Sequence, residues 1–195
     1  MTSDLHTGIP TSPVRLANAR VVLEPATDAH LTDASIAWLN DPEVVRYSEL
    51  RHTRHDRAEC MEYRHALRAG GHFMWAVLRA REGDHIGNLT LSIDRINRVA
   101  DLAILIGRRD LHGQGLGHAA WALALDWACS LPNLRKVTAG TMAVNQAMLA
   151  IFLRSGMHFE ARRRDHFLLD ARPVDMLLYA RFNAAGRPDQ LPPRE

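Results

Sequence analysis

The sequence predicts a mixed α/β domain with a mostly antiparallel central sheet, splayed at two parallel strands and flanked by about four helices. Apolar patterning runs in the order strand, helices, strands, helix, strand, helix, strands, so hairpins fill the first half and a crossover helix the second. One strand also runs into a loop with three alternating glycines and then a long apolar helix. The 195 residues suffice for one domain with tails.

In the first half, β-branched and apolar runs predict strands, and apolar residues at helical spacing predict helices. Asn40-Asp41-Pro42 and Gly70-Gly71 each end a helix, and Gly83-Asp84 is typical of a hairpin turn. The predicted elements are, in order, a strand, two helices and three strands: Arg20–Glu24, Asp28–Leu39, Arg54–Ala69, His72–Arg79, Ile86–Ile93 and Ala100–Ile106.

The second half contains the clearest helix, because eight apolar residues after Gly115 repeat at a spacing of three and four before Pro132 ends the pattern. Gly156 ends a further helix that begins at Asn145. The predicted elements are, in order, helix, strand, helix and a final strand pair: Gly115–Leu131, Lys136–Thr141, Asn145–Ser155, Met157–Arg163 and Val174–Phe182.

Both ends of the chain lack a sustained apolar period. Residues 1–19 are rich in Thr, Ser and Pro, and residues 184–195 are polar and rich in Pro. We therefore expect a flexible N-terminal segment (1–19), one folded domain (20–183) and a flexible tail (184–195).

Composition excludes several classes of function. The formal net charge of +2 is too small for an electrostatic nucleic-acid binder, and no apolar run is long enough to span a membrane. The first 13 residues lack the basic and apolar parts of a secretion signal. Cys60 and Cys129 cannot form a disulfide framework, so we expect reduced cysteines in a cytoplasmic protein with no nucleic-acid or membrane partner.

The segment from Ile104 to Ala120, with the sequence ILIGRRDLHGQGLGHAA, is the one that indicates chemistry. Glycines let a backbone approach a ligand closely, and the free N–H groups at a helix start bind phosphates. The dinucleotide fingerprint fails because His118 stands where its third glycine belongs. A nucleotide-hydrolysing P-loop fails because Lys136 is the sole lysine. A G-x-G-x-G phosphate-binding turn remains.

Four blocks in order resemble the GCN5-related N-acetyltransferases (GNAT), specifically the RimJ/RimL-like branch that acetylates ribosomal-protein N-termini. The first is WLNDPEVVRY at Trp38–Tyr47, and the second is the glycine segment with its strand at Ala100–Ala120. The third is VNQAMLAIFLRSGMHFE at Val144–Glu160, and the fourth is RRDHFLLDARPVDMLLY at Arg163–Tyr179. The resemblance extends from about Val21 to Phe182.

This resemblance implies that acetyl-CoA, the co-substrate, lies where Ala100–Ile106 and Lys136–Thr141 splay apart. The unpaired backbone of Leu105 and Ile106 would bond the pantetheine arm, and one of their N–H groups would polarise the thioester carbonyl. The amine would then attack directly in a ternary complex. The remaining implied cofactor-binding residues are the glycine turn, the helix start and one helix cap: His112, Gly113, Gln114, Gly115, Leu116, Gly117, His118 and Asn145.

The catalytic residues implied by the resemblance are less complete. Asp101 stands where relatives carry a Glu, and Glu49 lies in the loop after the first helix; either is a candidate base for the acceptor ammonium. Phe152 stands where many relatives have a Tyr general acid, and His112 where they have Gln or Arg. Another acid, or unaided loss of the thiolate, is then required.

Several acceptors and assemblies remain open. The loop at Arg46–Thr53 and the hairpin at Asp165–Pro173 would wall the acceptor pocket, and both mix acids with arginines. We expect a primary amine, with a protein N-terminus preferred over an amino sugar, polyamine or aminoglycoside. A catalytically silent acyl-CoA-binding module is the other alternative. We expect a monomer or homodimer and no metal, because His52 and His55 lack a third ligand.

Overall fold

The computed structural model describes residues 9–183. Its eight strands form one sheet in the order β1-β2-β3-β4-β5-β6-β8-β7. The strands are β1 (Leu16–Ala17), β2 (Val21–Pro25), β3 (Phe73–Arg79), β4 (His85–Asp94), β5 (Val99–Ile106), β6 (Lys136–Met142), β7 (His158–Leu169) and β8 (Arg172–Phe182). The α-helices are α1 (Asp33–Leu39), α2 (Arg57–Ala69), α3 (Leu116–Ser130) and α4 (Gln146–Arg154). The predicted fold class is confirmed.

All neighbouring strands are antiparallel except β5 and β6, which are parallel and joined through α3. Helix α3 packs on β1, β2, β5 and β6 and buries its apolar stripe in the main core. Helix α2 packs on β3 and contributes nothing to that core cluster, so it covers the opposite face of the sheet.

Several elements differ from the sequence-based boundaries. The first predicted helix is split into a 3-10 turn at Asp28–His30 and α1, because Thr32 caps α1 by accepting a hydrogen bond from the Ser35 N–H. The final hairpin is longer than predicted. Asp170 and Ala171 adopt positive φ and form the two-residue turn that continues the pairing to Leu169 and Arg172.

The N-terminal segment already contacts the sheet before residue 20. Leu16 and Ala17 pair with β2, the Trp75 indole donates a 2.8 Å hydrogen bond to the Val14 carbonyl, and Ile9 joins the core. The domain start at residue 20 stays a prediction, as do the flexible ends, because residues 1–8 and 184–195 lie outside the described part. Within residues 9–183, no helix is long and apolar enough to cross a membrane.

Candidate active site

The candidate site begins where β5 and β6 stop pairing. Their parallel register covers three positions, of which Asp101 opposite Thr138 is the last. Beyond it β5 stays paired with β4 as far as Ile106, and β6 stays paired with β8 as far as Met142. The sheet therefore splits between β5 and β6, as the sequence resemblance implied, while each of these strands stays paired with its other neighbour.

A cavity of about 630 Å³ occupies this split. Strand β5 lines it from Asp101 to Ile106, and Gly140–Met142 of β6 face it from the other side. The cavity brings together all but one of the residues predicted from the sequence: Glu49, Asp101, Leu105, Ile106, His112, Gly113, Gly115, Leu116, Gly117, His118 and Asn145. Gln114 is the exception.

The glycine loop contains two backbone N–H groups, those of Gly113 and Gly115, that the described chain leaves unpaired. Gly113 and Gly115 have φ values of 77° and 76°, a left-handed conformation that favours glycine. Among residues 9–183, neither of their N–H groups has a hydrogen-bond partner. Gly115 is also the N-cap of α3, so the first N–H groups of a 15-residue helix follow directly. This loop has the donors and the space that a phosphate requires.

Gln114 differs from the other residues of the loop in the direction of its polar groups. Its N–H points back to the Leu111 carbonyl at 3.4 Å, and its side chain donates to the Asp110 carbonyl at 3.0 Å. Its own carbonyl accepts a hydrogen bond from Arg20. Its N–H, its carbonyl and its side-chain amide nitrogen are therefore all engaged by protein groups, and the residue does not line the cavity.

Leu105 and Ile106 direct their backbone groups to opposite sides of β5. The Thr138 hydroxyl lies 3.2 Å from the Ala100 carbonyl, so the backbone of Ala100 faces β6. Strand alternation then directs the backbone of Ile106 into the split and that of Leu105 towards β4. A Cβ built on Gly87 of β4 would lie 2.2 Å from the Leu105 carbonyl oxygen, in agreement. Leu105 can therefore contact a ligand through its side chain and not through an unpaired backbone.

Ile106 directs its backbone into the split, but its carbonyl is already engaged. His112 places Nε2 2.8 Å from that oxygen, so the imidazole bridges the glycine loop and the end of β5. The His112 side chain thus braces the loop where a glutamine or arginine was expected from the family pattern.

Asn145 and His118 both line the cavity. The Asn145 side chain caps α4 by accepting from the Met148 N–H at 3.2 Å and donates to the Thr141 hydroxyl at 3.0 Å. His118, in the first turn of α3, has a buried Nε2 without a partner among the described residues. Both side chains are half-buried, so Asn145 combines the role of a helix cap with a place in the cavity wall.

Asp101 stands at the branch point of the sheet. The Thr138 hydroxyl lies 2.8 Å from its Oδ2. Burial by the surrounding walls raises the pKa of this carboxyl above its usual range, and the hydrogen bond with Thr138 lowers it in part. A carboxylate with a raised pKa is a better acceptor for a proton from an ammonium group.

Glu49 lies at the start of the 3-10 turn Glu49–His52 and lines the same cavity. Arg51 donates to its Oε1 at 2.8 Å and to the Ser48 carbonyl at 2.7 Å. Arg51 also donates to the Leu168 carbonyl of the last hairpin at 3.1 Å. Its guanidinium therefore ties the loop to the hairpin, and Glu49 is presented on a fixed turn.

The loop and the last hairpin both contribute to the cavity, as expected for the acceptor side. Glu43, Tyr47 and Glu49 line it from the loop, and Phe167 lines it from β7. Arg46 forms a second tie between the two segments through Asp170 at 3.4 Å. Of the acids in these two segments, Glu43 and Glu49 line the cavity, whereas Arg46 and Arg51 are engaged in the ties between the segments.

Phe152 is fully buried in the wall beside α3. Its ring packs 5.4 Å from the Trp121 ring and 5.1 Å from the Tyr179 ring. This position carries no hydroxyl group and lies in an aromatic cluster.

Sequence reasoning missed two residues of the site. Thr138 was assigned only to a strand, and Arg20 only to the start of a strand. Thr138 contacts Asp101, 37 positions away, and Arg20 contacts Gln114, 94 positions away. Thr138 lies within the predicted strand Lys136–Thr141, but only the three-position register of β5 and β6 brings it opposite Asp101. No local pattern signals either contact.

No metal centre accompanies the cavity in the described part of the chain: residues 9–183 contain no group of His, Cys, Asp and Glu placed to hold an ion. Cys60 and Cys129 are free, and burial raises the pKa of both thiols. Raised pKa values make these thiols poor nucleophiles.

A family model for the acetyltransferase (GNAT) domain matches residues 20–158. The chain belongs to the GNAT acetyltransferases. The predicted family and enzyme class are thereby confirmed. Among curated proteins, a search finds no significant match to this GNAT chain.

Solved structures share the fold of this GNAT protein. RimL, described as a ribosomal L7/L12 alpha-N-protein acetyltransferase in complex with coenzyme A, is 17% identical with a TM-score of 0.78, over 88% of this chain and 99% of that one. Spermidine N-acetyltransferase from Vibrio cholerae, in complex with CoA and spermine, is 20% identical with a TM-score of 0.75, over 87% and 99%. Ribosomal-protein-S5-alanine acetyltransferase from Vibrio fischeri is 16% identical with a TM-score of 0.77, over 90% and 100%.

Proposed function

We propose that this GNAT protein transfers the acetyl group of acetyl-CoA to a primary amine, directly and in a ternary complex. The observation that carries the proposal is the single cavity with a phosphate-binding loop at one part of its wall and two carboxylates, Asp101 and Glu49, at another. Acetyl-CoA is a substrate here, and the chain offers it free loop N–H groups, an open strand edge and an apolar wall.

The chain's own groups divide the reaction between them. The N–H groups of Gly113 and Gly115 and the first turn of α3 hold the phosphates. The Ile106 N–H faces the split and is the donor available to polarise the thioester carbonyl. The acceptor nitrogen, after losing one proton to the base, forms the new C–N bond with the thioester carbon. The C–S bond then breaks, the thiolate leaves with the electron pair, and the new amide nitrogen loses its remaining extra proton to solvent.

Asp101 is the preferred base in this proposal. Its raised pKa suits it to take the ammonium proton, directly or through a water, and Thr138 keeps it oriented. Glu49 is the second candidate, and its Oε1 already accepts a hydrogen bond from Arg51. Phe152 cannot protonate the thiolate, so this proton comes from solvent; a thiol with a pKa near 8.5 is a tolerable leaving group.

The acceptor we propose is the α-amino group of a protein. The acceptor side of the cavity carries Glu43 and Glu49, which attract an ammonium, while Arg46 and Arg51 are already paired. On the loop side of the cavity this charge pattern favours an ammonium over a phosphate-bearing acceptor such as a nucleotide-linked amino sugar; the arginine that lines the cavity, Arg154, lies on α4. A small polyamine remains the alternative, because it would satisfy the same carboxylates.

Release of free thiol from acetyl-CoA, followed with a chromogenic thiol reagent, tests the proposal. Two acceptor pools run in parallel: N-terminal peptides of ribosomal proteins, and small amines including polyamines and amino sugars. Release with peptides alone supports the proposed acceptor, and release with small amines alone replaces it. Binding of CoA without release for any acceptor supports the alternative of a catalytically silent acyl-CoA-binding module, which Phe152 favours.

We also propose a cellular compartment and an oligomeric state for this protein. Two free, buried or half-buried thiols support a reducing compartment such as the cytoplasm. We propose a monomer or homodimer, which sedimentation of the purified protein distinguishes.

A further inference from the structure

Arg20 lies outside the cavity wall and yet contacts the glycine loop. It stands just before β2, and its guanidinium donates a hydrogen bond to the Gln114 carbonyl, 94 positions away. A Cβ built on Gly115 would lie 3.1 Å from its Nη1. No carboxylate among residues 9–183 forms an ion pair with Arg20, so this contact is not a by-product of a salt bridge.

The segment that carries Arg20 is itself fixed to α3. The Asn18 side-chain oxygen accepts from the N–H groups of Arg20 and Val21, both at 2.9 Å, and its amide donates to the Ala119 carbonyl at 3.1 Å. Arg20 therefore approaches the loop from a braced turn and not from a loose terminus.

The geometry of the peptide bond gives this contact a consequence. In a trans peptide the C=O and the following N–H point in opposite directions. Since Arg20 holds the Gln114 carbonyl on the outer side of the loop, the Gly115 N–H of the same peptide is directed to the other side. Gly115 lines the cavity and its N–H has no partner within the described chain, whereas Gln114 does not line the cavity.

We propose that Arg20 is a positioning residue for the phosphate end of the acyl-CoA site, fixing the Gln114–Gly115 peptide so that the Gly115 N–H faces the ligand. This inference rests on the proposed function. The guanidinium also stands at the negative end of the peptide dipole, which strengthens the Gly115 N–H as a donor. Without Arg20, the peptide between two left-handed glycines is free to turn over and present its carbonyl to an anion.

The test measures the activity of Arg20→Met and Arg20→Lys with two acetyl donors, acetyl-CoA and acetyl-pantetheine. Arg15→Met is the matched control. Arg15 lies in the same segment, and its partner is Glu24 of β2. Acetyl-CoA contains the pyrophosphate, and acetyl-pantetheine lacks it. For Arg20→Met we expect the Kd for CoA and the KM for acetyl-CoA to rise about tenfold, as for loss of one hydrogen bond to a charged group. We expect kcat at saturation and kcat/KM with acetyl-pantetheine to stay within twofold, and Arg20→Lys to be intermediate.

The Gly115 amide resonance of the ligand-free protein gives a readout that does not depend on activity. We expect it to shift or broaden in Arg20→Met and to be unchanged in Arg15→Met. Equal CoA affinity in Arg20→Met and the wild type overturns the inference. An equal loss of kcat/KM with acetyl-CoA and with acetyl-pantetheine, at an unchanged melting temperature, also overturns it. If Arg20→Met does not fold, Arg20→Gln replaces it. If the wild type binds no CoA, the proposed function fails first, which calorimetry on the wild type alone reveals.

Discussion

The Thr138 hydroxyl lies 2.8 Å from Oδ2 of Asp101, at the last register position before β5 and β6 separate. The hydrogen bond lies at the point where the backbone ladder ends and the cavity begins. A side-chain contact thus replaces the next ladder bond, and it orients the carboxylate that we propose as the base.

Replacing Thr138 with Val removes the hydroxyl and keeps the shape of the side chain. A hydrogen bond to a carboxylate favours its charged form, so its loss raises the pKa of Asp101 further. Because the base is active when deprotonated, we expect the acidic limb of the kcat/KM profile to move to higher pH. The pH profile of Thr138→Ser, which keeps the hydroxyl, is expected to match the wild type. An unmoved limb in Thr138→Val would contradict the assignment of Asp101.

Neutral replacements separate the two candidate bases. We expect Asp101→Asn to lower kcat by roughly 10²–10⁴, the usual contribution of a general base. We expect Glu49→Gln to raise the KM for the acceptor and to change kcat by less than about tenfold, because Glu49 attracts the ammonium. Steady-state kinetics with saturating acetyl-CoA measures both. The opposite pattern would transfer the role of base to Glu49.

Arg51 is expected to control the acceptor side alone. Its replacement by Met breaks the tie between the loop and the hairpin through Leu168 and releases Glu49. We expect the KM for the acceptor to rise several-fold and the Kd for CoA to stay unchanged. Arg54→Met, with the same charge change one turn further along the loop, is the control. Equal loss of CoA affinity in Arg51→Met would show a general disturbance of the fold.

Gly87 is expected to tolerate no side chain. The Cβ of an alanine would lie 2.2 Å from the Leu105 carbonyl and 2.9 Å from the Ile106 Cα, both backbone atoms that cannot turn aside. Overpacking of this kind costs about 1–3 kcal/mol. We expect Gly87→Ala to lower the melting temperature and to weaken CoA binding, because β5 must shift. Gly83→Asn is the control, since asparagine accepts a left-handed turn and that position is open. A melting temperature equal to that of the wild type in Gly87→Ala would contradict this.

The pair of Asp28 and Arg64 is expected to make stability depend on pH. Arg64 is buried in α2, and its hydrogen bonds, with Nε 2.9 Å from Oδ1, hold the pKa of Asp28 below its usual range. A lowered folded-state pKa gives stability that is present above the unfolded value of about 3.9 and is lost as pH falls through the folded value. We expect the melting temperature of Asp28→Asn to be lower than that of the wild type at pH 7.

That difference is expected to shrink as the pH falls below about 3.9, because the wild-type carboxyl then becomes protonated too. Asp33→Asn, whose fully exposed carboxylate pairs with Arg57, serves as the control and is expected to behave like the wild type. A difference that stays constant with pH would show that the Asp28 charge contributes nothing.

The elements could be predicted from the sequence where local patterns were strong. The eight-residue apolar repeat of α3 and the caps at Gly115 and Asn145 located their helices to within a residue. The final hairpin was predicted too short, because β7 is exposed along most of its length and its alternation carries no burial signal. The brief strand β1 was missed, since two residues contain no period.

The sequence by itself determined the family, the order of the elements and the glycine turn, because these depend on spacing within a few residues. Only the tertiary structure decided which backbone groups of the turn and of β5 remain free: Gly113 and Gly115 but not Gln114, and Ile106 but not Leu105. Those outcomes depend on strand register and on side chains from distant segments, such as Arg20 and Thr138. A contact across 94 positions leaves no local trace, since the residue types on either side are common ones that fit many neighbours.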